Sequence, residues 1–174
     1  MKVVVCPLAD VGDCIAAEAP ARLISLFAPE GPDPPTWTGG PHLLLRVHDI
    51  AEPQPGLIAP DAGLIDRLLA FAADWEEEAP LLIHCWFGIS RSTAAAFIVL
   101  CAADPARPER EIALALRRAA PEATPNRLMV ALADARLGRD GRMTEAIAAI
   151  GPGRFAPSGR PFSLQAPRRD SGAT

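Results

Sequence analysis

Residues 81 to 103 hold two apolar runs with a short loop between them, and this arrangement constrains the fold more than any other stretch. Leu81-Leu82-Ile83 has no polar alternation, and Ala94 to Leu100 is apolar on every side of a helix. A strand without a polar face is buried on both sides, as in a parallel sheet covered by helices. A helix apolar all round lies in the interior. The loop between them reads His84-Cys85-Trp86-Phe87-Gly88-Ile89-Ser90-Arg91-Ser92, with five residues between the cysteine and the arginine. A tight turn from strand to helix directs backbone N–H groups inward and aims the positive end of the helix dipole at whatever sits there. That is a cradle for a phosphate-like anion.

The rest of the chain fits around this unit. Lys2 to Cys6, Arg22 to Phe27 and Leu43 to His48 read as strands, and Val11 to Glu18 as a short helix. Pro29 to Pro41 is a loop rich in proline and glycine. Leu64, Ile65, Leu68, Leu69, Ala72 and Trp75 recur at helical spacing, predicting a helix over Ala62 to Glu78. Ser90 to Ala103, Pro108 to Arg118, Pro125 to Leu137 and Thr144 to Ile150 read as further helices, two of them opening on a proline whose missing N–H costs nothing there. Strands alternating with helices, then a helical cluster, predict an α/β fold with a central, mostly parallel sheet flanked by helices. The expected organisation is one domain over residues 1–150 and an irregular tail over 151–174.

Each residue of the loop has a chemical use. A thiol attacks phosphorus as thiolate, and a helix N-terminus with nearby cations lowers a cysteine pKa from about 8.5 by several units. Cys85 precedes the helix and Arg91 supplies fixed charge. A guanidinium grips two phosphoryl oxygens at once, which lysine does poorly. Ser92 can donate a hydrogen bond to the departing sulfur. Gly88 lets the backbone bend without a side chain filling the anion site.

His84-Cys85-x5-Arg91-Ser92 resembles the signature loop of the cysteine-dependent protein tyrosine phosphatases. The ending Gly88-Ile89-Ser90-Arg91-Ser92 resembles their compact dual-specificity branch. The resemblance spans roughly Leu43 to Leu137. It implies a phosphotyrosine-phosphatase-like fold and phosphate held by the loop from Cys85 through Trp86, Phe87, Gly88, Ile89 and Ser90 to Arg91. It also implies a cysteinyl-phosphate intermediate with no metal and no cofactor. His84 would orient the loop through the backbone. Trp86 and Phe87 are bulkier than the branch usually carries.

The leaving group needs a proton from a carboxylic acid. Asp49 ends the third strand and opens a Pro/Gly-rich segment, which is where the resembled family keeps its general acid; the competing reading is a turn cap. Asp61 is the rival acid, but Pro60-Asp61 ahead of a helical pattern reads as a helix start. Pro125-Asn126 resembles a pair that opens a helix near the signature loop. Asn126 is either an N-cap or a brace for the loop.

Composition narrows the class. A net charge of −4 and a pI near 5.4 argue against a nucleic-acid surface. No run approaches the ~20 apolar residues that span a bilayer, and no secretory signal is visible. Cys6, Cys14, Cys85 and Cys101 have no metal or disulfide spacing. Cys6 and Cys14 read as buried free thiols, with a protective disulfide to Cys85 as the alternative. A reducing cytoplasm suits a thiolate. The alanine and arginine content resembles a high-GC bacterial bias. The expected activity is hydrolysis of a phosphorylated protein or small phosphomonoester. The alternatives are a phosphate-binding module that does not turn over, and a sulfurtransferase or arsenate reductase. Oligomeric state stays open.

Overall fold

The structure, a computed structural model, describes residues 2–75 and 79–165. Five strands form one sheet: β1 (Lys2–Pro7), β2 (Arg22–Phe27), β3 (His42–Arg46), β4 (Leu81–Cys85) and β5 (Phe162–Gln165). Their order is β3-β2-β4-β1-β5, parallel except for β5, which runs antiparallel to β1. Six helices accompany them among the described residues: α1 (Val11–Glu18), α2 (Ala62–Ala73), α3 (Arg91–Ala103), α4 (Glu109–Ala119), α5 (Arg127–Arg136) and α6 (Arg142–Ile150). None is long and apolar enough to cross a membrane.

The continuous apolar strands follow from burial on both faces. Val3 and Val5 join the main core, whereas Val4 and Cys6 face a smaller cluster under α1. Leu81, Ile83 and Cys85 alternate with Leu82 in the same way. Because β4 lies between β1 and β2, the chain reaches the outer strands first and returns to the middle. Its carboxyl end therefore emerges at a topological switch of the sheet, where α/β folds bind ligands. From there the chain enters α3, buried from Arg91 to Cys101.

Several boundaries differ from expectation. The helix predicted to Glu78 stops at Ala73, while Glu76 to Glu78 lie outside the described residues. Trp75 turns the chain there: its buried indole donates to the Ala79 carbonyl at 3.0 Å. The third strand ends at Arg46 because its partner β2 ends at Phe27. The helix predicted from Thr144 starts at Arg142, since the Asp134 carboxylate accepts from the Gly141, Met143 and Thr144 amides and caps it earlier. Residues 162–165, expected within an irregular tail, form the edge strand β5. Leu164 is buried in the core, so four residues of period-two pattern suffice once β1 offers a free edge.

Candidate active site

The segment after β4 closes on itself by tying its carbonyls outward. The Trp86 carbonyl accepts from Leu8 N–H (3.2 Å) and that of Phe87 from Gly159 N–H (2.8 Å). Ile89 O accepts from Thr124 N–H (2.9 Å) and Thr93 Oγ1 (2.5 Å). By contrast, the amides of Phe87 to Ser90 make no hydrogen bond among the described residues. Ser90 precedes α3 without capping it by its side chain, so the first-turn N–H groups of a thirteen-residue helix stay open. Unpaired amides and an uncapped helix start are what an oxyanion needs.

Gly88 has φ +68°, and a Cβ there would lie 2.7 Å from the Pro7 nitrogen. The requirement for glycine thus comes from the end of β1 pressing on the loop, and not from the anion site as expected. Any larger residue would clash with backbone and carry left-handed strain as well.

A cleft of about 320 Å³ opens above the loop, bounded by Asp49, Cys85, Phe87, Ile89, Ser90 and Arg91 and by the segment Phe155-Ala156-Pro157. Trp86, Gly88, Ser92, His84 and Asn126 lie around the cleft without lining it. Cys85 is 2% exposed, and its Sγ lies 3.1 Å from Ser92 Oγ. The other three thiols are also free and buried. Burial pushes Cys6 and Cys14 up and Cys101 up to about 12, which disfavours their thiolates.

Arg91 is braced at one end only. Its Nη1 donates to the Val47 carbonyl at 2.8 Å. Its buried Nε has no hydrogen-bond partner among the described residues and lies 3.9 Å from Asp49 Oδ2. The edge of the guanidinium carrying Nε is therefore available to a ligand. Asp49 is held by Oδ1, which accepts from Ser90 Oγ (2.7 Å) and Asn126 Nδ2 (2.9 Å). Oδ2 accepts no hydrogen bond among the described residues and lies 3.9 Å from Arg91 Nε. Of the two roles weighed for it, Asn126 takes the N-cap: Oδ1 caps α5 by accepting from Met129 N–H, while Nδ2 donates to Asp49 and the Ile50 carbonyl and not to the signature loop. Asp61 is the N-cap of α2, accepting from Leu64 N–H at 2.7 Å, away from the cleft.

His84 is fully buried beneath the loop, edge-on to Phe27. Its Nε2 lies 2.6 Å from Ser25 Oγ, which lies 2.8 Å from His42 Nε2. One hydroxyl proton serves one of these acceptors, so the other imidazole donates and the tautomers of the pair are coupled. Ser25 and His42 escaped the reading of the sequence. The available signal was Ser25 itself, a lone hydroxyl inside the apolar strand Arg22 to Phe27. Burial, then the neighbouring His42, pushes the His84 imidazole down to about 4 from 6.5. The folded protein refuses a proton that the unfolded chain accepts between those values. Stability is then full above pH 6.5 and falls towards pH 4 by about 3 kcal/mol. Urea unfolding across this range checks it, with a shallower slope expected for His84→Asn; a flat wild-type profile would contradict the burial of a neutral imidazole.

No protein-family model matches the chain, and no curated protein matches it. Solved structures do. The crystal structure of DUSP15 superposes with a TM-score of 0.61 at 19% identity, covering 88% of this chain and 92% of that one. PTPMT1 gives 0.57 at 13% identity over 80% and 94%. A mouse putative dual specificity phosphatase complexed with zinc tungstate gives 0.53 at 17% identity over 83% and 84%. Sheet order, helical cover and a cleft at the carboxyl end of the central strand agree with that likeness: the chain has the fold of the dual-specificity phosphatases.

Proposed function

We propose that the chain is a phosphomonoester hydrolase of the protein-tyrosine and dual-specificity type, working through a cysteinyl-phosphate. The observation that carries this reading is that Cys85, Arg91 and Asp49 line one cleft over open loop amides. The phosphoryl group sits in the loop, its oxygens bonded by amides from Phe87 to Ser90 and by the free edge of Arg91. Cys85 thiolate attacks phosphorus, and the ester bond breaks. Asp49 gives its Oδ2 proton to the departing oxygen. Water then attacks the cysteinyl-phosphate and passes a proton back to Asp49. The sulfur leaves as thiolate, stabilised by the Ser92 hydroxyl, and inorganic phosphate is released.

His84 contributes position and no proton, since it is neutral and buried below the strand end. Asn126 is a positioning residue for Asp49. The substrate is a phosphorylated protein or small phosphomonoester, and the thiolate suits the reducing cytoplasm.

The test is turnover of p-nitrophenyl phosphate with acid-quenched detection of phosphate on Cys85. Phosphate binding without turnover would leave a binding module of the same fold. Asp49→Ala should lower kcat for phenyl phosphate about 100- to 1000-fold. It should affect p-nitrophenyl phosphate much less, because nitrophenolate departs without a proton. Equal losses on both substrates would make Asp49 a structural brace.

A further inference from the structure

The cleft is also lined by the chain that leads into β5. This segment is fastened at both ends. Gly153 N–H donates to Thr124 Oγ1 (3.1 Å) and Arg154 N–H to the Pro121 carbonyl (2.9 Å). Downstream, Gly159 N–H (2.8 Å) and Ser158 Oγ (3.3 Å) both donate to the Phe87 carbonyl, and Arg160 N–H donates to Glu122 Oε1 (3.2 Å). A Cβ on Gly159 would lie 2.9 Å from the Gly88 carbonyl, so the strap touches the back of the loop itself. Between the two fastenings Phe155, Ala156 and Pro157 reach the cleft, and Phe155 is 98% exposed.

We propose that this strap is a specificity element in which Phe155 stacks on the aromatic leaving group of an aryl phosphomonoester. It would select phosphotyrosine-like substrates over alkyl phosphates such as phosphoserine. The proposal rests on phosphate occupying the loop as described above. A phosphoryl group held beside Cys85 directs its ester substituent out between the apolar walls. One wall offers Phe87, half-exposed and packed edge-on against Trp86 with ring centroids 6.4 Å apart. The other offers Phe155. An aromatic ring held in water on a chain fastened at both ends gains free energy when a second ring covers it. A serine or threonine ester has too little surface to reach it. Among the described residues the cleft lining holds Arg91 as its one cation, so discrimination by additional charge is absent there and apolar contact is left to provide it.

The experiment measures binding by calorimetry in a Cys85→Ser background, with and without Phe155→Ala, using phosphotyrosine, phosphoserine and inorganic phosphate. The ratio of kcat/KM for phosphotyrosine over phosphoserine is measured in parallel with Cys85 intact. Phe155→Ala should weaken phosphotyrosine about tenfold and shift phosphoserine and inorganic phosphate by less than about twofold. Phe155→Trp should restore the preference. The exposed position of Phe155 makes misfolding of the variant a minor concern, and unchanged phosphate affinity checks it. Equal weakening of all three ligands, or no change in any, overturns the proposal. Preserved discrimination in binding with no turnover by the parent chain sinks the hydrolase and leaves the strap standing. No phosphate binding at all sinks both.

Discussion

Cys85→Ser should lower turnover of p-nitrophenyl phosphate by about 10⁴-fold or more, with phosphate still bound. The substitution exchanges one atom in a side chain that is 2% exposed, so the cleft keeps its shape. What changes is nucleophilicity. Thiol sulfur is intrinsically far more nucleophilic than a hydroxyl oxygen. A serine hydroxyl needs a base before it can attack; Asp49, the carboxylate lining the cleft, is used as the acid in this step, and His84 is buried below and pushed down to about 4. Ser92 Oγ, 3.1 Å from the sulfur, would bond to the new hydroxyl and hold it in place without activating it. Cys6, Cys14 and Cys101 do not line the cleft, so none can substitute. Activity retained by Cys85→Ser would remove the covalent route altogether.

The central unit was legible because its residues carry their own burial. A strand buried at every position and a helix buried from Arg91 to Cys101 leave one arrangement for the loop between them, and that loop holds Cys85 and Arg91. Asp49 was legible as a strand end followed by a loop. Asn126 was legible as an N-cap, while its second contact, to Asp49 and Ile50, was not, since it joins two segments far apart in the chain. Features that depend on register were hidden. Ser25 meets His84 and His42 because β2 lies between β3 and β4, a neighbourhood no local pattern encodes. The obstacle at Gly88 comes from Pro7 on another strand. The strap was hidden for a related reason. Its proline- and glycine-rich composition lacks periodicity, and its order comes from carbonyls on Pro121 and Phe87 that only the folded protein brings near.

Arg91→Lys should lower kcat/KM about a thousandfold, the range in which an arginine serving phosphoryl transfer is worth its charge and its shape together. The charge survives this substitution, so the loss reports on shape. In the wild type one end of the guanidinium is spent on the Val47 carbonyl, which fixes the plane of the group. The buried Nε has no hydrogen-bond partner among the described residues, and Arg91 lines the cleft. A planar group held this way presents two parallel N–H bonds to two phosphoryl oxygens and keeps them as the group passes from ester to sulfur. A lysine ammonium has one nitrogen. If it donates to Val47, it is withdrawn from the phosphoryl group. If it reaches the phosphoryl group, its stem is no longer fixed and only one oxygen is gripped. Its proximity to Asp49 would also change, since Oδ2 now lies 3.9 Å from Nε. Both kcat and KM should suffer, because the fork acts in the ground state and in the transition state. A lysine variant within about tenfold of wild type would mean that the guanidinium only braces Val47 and Asp49, and that the loop amides alone hold the anion.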